Sequence, residues 1–90
     1  MITKTVKISA ETATQENPIA FLVQEANCFK SKVYITCDGK RVNAKSIMGM
    51  MTLGLHEGKE VMIWAEGEDE EEAAQKVAIY LKRTSEDENK

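Results

Sequence analysis

A chain of 90 residues and 10.1 kDa has room for one small domain, because a second would fall below the size at which a chain builds its own core. With 42% hydrophobic and 30% charged residues and no apolar run near the roughly 20 residues of a membrane span, the composition is that of a globular protein and excludes a spanning one. A formal charge of −3 and a pI near 5.2 argue against a protein that binds nucleic acid by itself.

Met1 is followed by alternating polar residues rather than by a basic stretch and an apolar core, so the sequence predicts a cytoplasmic protein without a secretory signal. Ile2, Val6 and Ile8 alternate with Thr3, Thr5, Lys7 and Ser9, the period-two signature of a strand with one buried face. Glu11 to Asn17 is polar without usable periodicity and reads as a loop. Asn17-Pro18 supplies a helix start: an Asn side chain caps free N–H groups, and proline at the first helical position loses nothing by lacking its own. Ile19, Leu22, Val23, Ala26 and Phe29 follow at helical spacing and predict a helix over about 18–29.

Val33, Ile35 and Cys37 alternate with Lys32, Tyr34 and Thr36 up to Asp38-Gly39, a dipeptide suited to the positive φ of a tight hairpin, so Lys40 to Ala44 returns antiparallel. Ser46 caps a short helix of Ile47, Met48, Met50, Met51 and Leu53 that ends near Gly54. This helix is apolar on more than one side. Either its methionines fill the core, or Ile47, Met48 and Met51 are left exposed for a partner. Val61, Ile63 and Ala65 form the last strand, with Met62 and Trp64 on its other side. Glu68 to Glu72 open a final helix at the positive end of its dipole, with a stripe of Ala74, Val77, Ala78 and Leu81 and with Lys82 and Arg83 near its negative end. The order strand, helix, strand, strand, helix, strand, helix predicts an α+β domain over 1–84, a four-stranded, mainly antiparallel sheet covered on one face by helices, followed by a polar tail over 85–90.

The total charge hides a split: residues 66–90 hold nine acids against four bases, a local −5 that leaves +2 on residues 1–65. Lys30, Lys32, Lys40, Arg41 and Lys45 cluster in the first part and read as a solvated face. Cys28 and Cys37 have no Cys-x-x-Cys spacing, and with one histidine there are too few nitrogen and sulfur ligands for a structural zinc site. Both read as reduced, partly buried thiols, and no metal or cofactor is expected. His56 stands in a loop as a solvated polar residue, Glu70 to Glu72 serve a helix dipole, and a glycosidase-like pair would need a cleft larger than this domain predicts. The five glycines show no nucleotide-binding spacing. The residues themselves therefore predict no enzyme. Ser46 is the informative position: it is either a plain structural cap or a hydroxyl where a phosphate would meet free backbone donors beside a Met-rich patch.

Lys45-Ser46-Ile47-Met48-Gly49, Met51-Thr52-Leu53-Gly54, Asp38-Gly39-Lys40 with Val42-Asn43, and Ala65-Glu66-Gly67 before an acidic helix resemble the HPr family of the bacterial sugar phosphotransferase system. The likeness runs over about residues 3–83 and is most specific around 42–54. It implies an open-faced β-sandwich. Phosphate-carrying members use a histidine in a loop before the first helix; here Pro18 and Ala20 hold the register and Gln15 takes that position, flanked by Glu16 and by Asn17 in place of an arginine. An amide has no basic lone pair to accept a phosphoryl group, so the resemblance implies no carrier activity and no catalytic residue. A glutamine there is similar to the Crh-like branch of the family, which implies phosphorylation of Ser46 by the ATP-dependent HPr kinase/phosphorylase. It further implies a corepressor role in carbon catabolite repression with a CcpA-type, LacI-like repressor, docking through Gln15, Asn17, Ile47, Met48 and Met51, and a strand-exchanged homodimer. Two other readings stay open: a phosphocarrier that uses another residue, for which His56 is the one imidazole, and a modulator of metabolic enzymes independent of Ser46.

Overall fold

The computed structural model describes residues 1–14 and 17–82; Gln15, Glu16 and residues 83–90, including the expected tail and domain end, lie outside the described residues. The alternating segments form β1 (Ile2–Lys7), β2 (Lys32–Cys37), β3 (Lys40–Asn43) and β4 (Glu60–Glu66), one antiparallel sheet of order β1-β4-β2-β3. The described helices are α1 (Ala10–Ala13), α2 (Pro18–Asn27), α3 (Ile47–Leu53) and α4 (Glu70–Leu81). This is the α+β arrangement that the pattern predicts, and the open-faced form that the resemblance implies.

Alternation decides which side of the sheet is covered. Val33, Ile35, Cys37, Val42, Val61, Ile63 and Ala65 are buried on the helix side, where α4 packs across β1, β4 and β2 and α3 packs on β3. Leu22, Met50 and Leu81 complete this layer from the helices, each side chain fully buried and contributing on the order of 2 kcal/mol. The opposite face carries Tyr34, Thr36, Met62 and Trp64, with the Arg41 guanidinium 4.2 Å from the Tyr34 ring centre and 4.8 Å from that of Trp64. Asp38 and Gly39 have φ of 53° and 79°, so the β2–β3 hairpin turns as the dipeptide predicts.

Three boundaries differ from the sequence reading. The stretch after β1 is not all loop. Ser9 caps a one-turn helix, its Oγ accepting from Thr12 N at 3.1 Å, and the buried Thr12 hydroxyl donates to Tyr80 O. Here the inward-facing residue is polar, so no apolar period marks the turn. The first long helix stops at Asn27, not Phe29, because the Asn27 side chain turns back to Val23 O at 2.8 Å and Cys28 closes the helix. Asn17 stands at its N-terminus, but its side chain makes no capping hydrogen bond. The last helix begins at Glu70 rather than Glu68, because Asp69 is drawn away from it.

Asp69 is a clasp. Its carboxylate accepts from Lys30 N and Ser31 N, each at 2.9 Å, and from the Ser31 hydroxyl at 2.5 Å, tying the turn after α2 to the start of α4. The Ser31 hydroxyl and then the Lys30 N–H hold the Asp69 carboxyl down from its ordinary 3.8 to about 2. A depressed folded-state pKa stabilises the fold above the unfolded value and is lost as pH falls through the folded one, so this contribution fades between about pH 4 and about pH 2. Asp38 and Glu70 are also lowered, by a hydrogen bond from Lys59 and from the N-terminal ammonium respectively. Thermal unfolding of Asp69→Asn should therefore show a lower Tm than wild type at neutral pH and a shallower loss on acidification. Parallel acid limbs for the two proteins would assign the clasp no role in the acid dependence of stability.

Candidate functional site

The turn from β3 into α3 is built from side-chain caps. Asn43 Oδ1 accepts from Lys45 N at 2.8 Å, which bends the chain, and Ser46 N donates to Asn43 O at 3.0 Å. Ser46 is extended (φ −106°, ψ 116°), and its Oγ accepts from Gly49 N at 3.2 Å while its carbonyl accepts from Met50 N. It is the helix cap that the sequence predicts, an arrangement worth about 1 kcal/mol. A Cβ at Gly49 would stand 3.5 Å from Ser46 Oγ, an ordinary van der Waals contact, so the cap itself does not require glycine there.

Lys45 is not part of a solvated basic face. Its ammonium donates to Phe29 O at 2.7 Å, and Asn27 Nδ2 reaches Lys45 O at 3.3 Å, so the end of α2 is tied to the Ser46 turn. Neither contact was visible in the sequence, because both join segments with no shared period. Lys30, Lys32 and Lys40 are exposed, as that reading expects.

Helix phase separates the buried apolar residues of α3 from the exposed ones. At about 100° per residue Ile47, Met51 and Met48 occupy one arc of roughly 100°, while Met50 points away from it. Met50 is fully buried, whereas Met48 is 80% exposed, Met51 65% and Ile47 50%. Three large apolar side chains thus stand in water beside the Ser46 cap. Of the other expected docking residues, Gln15 lies outside the described residues and Asn17 is exposed at the start of α2. Asn17 stands at the end of α2 opposite Asn27, the residue whose side chain reaches Lys45 O, about 15 Å along the helix.

His56 is exposed in the loop before β4. Of the two free cysteines, Cys37 is buried, its thiol pushed up by that burial, whereas Cys28 is exposed, because α2 ends one residue before it. Among the described residues no group of three His, Cys, Asp or Glu side chains is placed to hold a metal ion. No described helix is long and apolar enough to cross a membrane.

Residues 2–83 match the family model described as PTS HPr component phosphorylation site. HPr-like protein Crh of Bacillus subtilis is 49% identical over 81 residues, 90% of this chain and 95% of that protein. The crystal structure of a phosphocarrier protein HPr from Bacillus anthracis superposes with a TM-score of 0.84 at 44% identity, covering 90% of this chain and 96% of the other. A crystal structure of Bacillus subtilis Crh, described as a swapped-domain dimer, superposes with a TM-score of 0.69 at 49% identity over 90% of this chain and 93% of that one.

Proposed function

This chain belongs to the HPr family, and we propose that it is a non-catalytic, Crh-like regulator of carbon catabolite repression, switched by phosphorylation of Ser46. The observation that carries the reading is the Ser46 hydroxyl at the α3 cap directly beside the exposed arc of Ile47, Met48 and Met51. In the proposed reaction HPr kinase/phosphorylase transfers the γ-phosphoryl group of ATP to Ser46 Oγ; the hydroxyl proton leaves and ADP is released. The product carries close to two new negative charges at a point where backbone N–H groups and the helix dipole favour an anion. An arginine of a CcpA-type repressor would pair with the phosphate, and the flexible methionines would supply adaptable apolar contact. Asn17 would then sit at the margin of this surface and change partner choice there.

Gln15 in the position of the carrier histidine supports a protein that does not pass phosphate onward, since its amide cannot form a phosphoramidate. The closed chain reads as competent for exchange with a second copy: β1 is an edge strand paired only with β4, and a swapped copy would reproduce the same ladder.

Incubation with the kinase and ATP, followed by mass spectrometry, is expected to add one phosphoryl group to wild type and none to Ser46→Ala. Enzyme I with phosphoenolpyruvate is expected to add none to either. A gain that survives Ser46→Ala would defeat the switch, and acid-labile phosphate on His56 would restore the carrier reading.

A further inference from the structure

The structure has a second feature, remote from the Ser46 cap, at the other end of α3. We propose that the cleft between the β2–β3 turn, the C-terminal end of α3 and the loop before β4 binds a small polyvalent anion. Its volume is about 400 Å³, within the roughly 300–1,000 Å³ of small-ligand sites. Two ammonium groups, Lys40 and Lys59, and the His56 imidazole line it, against a single carboxylate, Asp38.

These basic groups are not equivalent. Lys59 Nζ is held by Asp38 Oδ2 at 2.6 Å, which orients the ammonium and leaves two of its three donors for a ligand. Lys40 and His56 make no side-chain hydrogen bond or ion pair among the described residues. His56 is nevertheless placed: its ring packs over Gly54, where a Cβ would lie 2.7 Å from Nε2. Gly54, with φ of 75°, thus ends α3 and also makes room for the imidazole at the rim.

Charge selects the ligand class. Asp38 and the carbonyl end of the α3 dipole oppose an anion, so a single negative charge gains little at this solvated site. Lys40, His56 and Lys59 line one cleft, so a compact molecule with two or three carboxylate or phosphate groups offers each of them a partner. Only one carboxylate lines the cleft, so the paired-carboxylate chemistry set aside from the sequence has no basis here either.

The test is a titration of the full chain with citrate and with pyrophosphate, followed by amide and imidazole NMR shifts at constant ionic strength, with glucose as the neutral control. Saturable shifts confined to residues 37–40 and 52–59 are expected, with a Kd of about 1 mM. Lys40→Gln and His56→Gln should each weaken binding about threefold or more, and both side chains are exposed, so the fold is retained. Saturation by either anion supports the site, and their order assigns carboxylate or phosphate as the preferred group. Shifts that do not saturate, that spread over unrelated lysines, or that are unchanged in both variants would overturn it. Ser46 takes no part in this readout, so it stands or falls apart from the proposed switch.

Discussion

Gly67→Ala is expected to destabilise the fold by about 3 kcal/mol, the largest loss from adding a Cβ at any of the five glycines. Two costs combine there. Gly67 has φ of 150°, a conformation that residues with a Cβ rarely adopt, and the added carbon would lie 2.7 Å from Ser31 Cα and 2.6 Å from Ser31 Oγ. The hydroxyl can swing aside, but the Ser31 Cα, a backbone atom, cannot. Ser31 is also one half of the Asp69 clasp, so any shift that relieves the overlap loosens the bonds from Lys30 and Ser31 as well. A domain of this size holds on the order of 5–13 kcal/mol in all, so the variant should melt about 15–20 °C below wild type. Gly39→Ala is the control: its φ of 79° carries strain, but nothing lies within 4 Å of the new carbon. It should cost about 1 kcal/mol. Equal losses in urea unfolding of the two variants would mean that Ser31 yields and that strain alone matters.

Met48→Glu in the Ser46-phosphorylated protein is expected to weaken the proposed binding to a CcpA-type repressor by roughly 30- to 100-fold, which corresponds to the 2–3 kcal/mol of a central interface residue. Met48 is the most exposed of the three apolar residues beside the cap, so the substitution leaves the fold's own packing alone and should move stability by no more than about 0.5 kcal/mol. A carboxylate would put an unpaired charge into the desolvated contact, close to a phosphate of the same sign. Met48→Leu keeps the apolar volume and should bind nearly as wild type. Met62→Glu, on the uncovered face of the sheet, should also leave binding unchanged, which separates docking at α3 from a general effect of charge. Calorimetric titration of the four phosphoproteins decides the matter. Undiminished binding by Met48→Glu would move the docking surface elsewhere.

Both predictions turn on positions whose character was only partly readable. Gly67 stands before an acidic run in the sequence, and the resemblance of Ala65-Glu66-Gly67 to the family pattern marks the place. Its approach to Ser31 joins residues 36 positions apart and has no local signature. Asp69 reads as one more acid at a helix start, where the dipole explains it well enough, and its bonds to Lys30 and Ser31 appear only when the two loops are brought together. Met48 and Met50 are chemically identical and two residues apart, yet one is 80% exposed and the other fully buried. Composition cannot separate them, because the segment is apolar all round; the packing of α3 on β3 sets its rotation.

Period-two alternation, the Asp38-Gly39 turn and the Ser46 cap are local devices, and the sequence by itself determined the strands, the hairpin and the helix start, because each depends on backbone preferences within a few residues. It also determined that residue 15 is a glutamine, the identity on which the proposed loss of carrier activity rests. Tertiary structure decided the rest. It buried Met50 and exposed Met48, tied Lys45 to Phe29, set Cys37 inside and Cys28 outside, and gathered Lys40, His56 and Lys59 around one cleft. Those outcomes depend on which surfaces of separate elements meet, and the free energy of that meeting comes from burying area and matching polar groups between segments far apart in the chain.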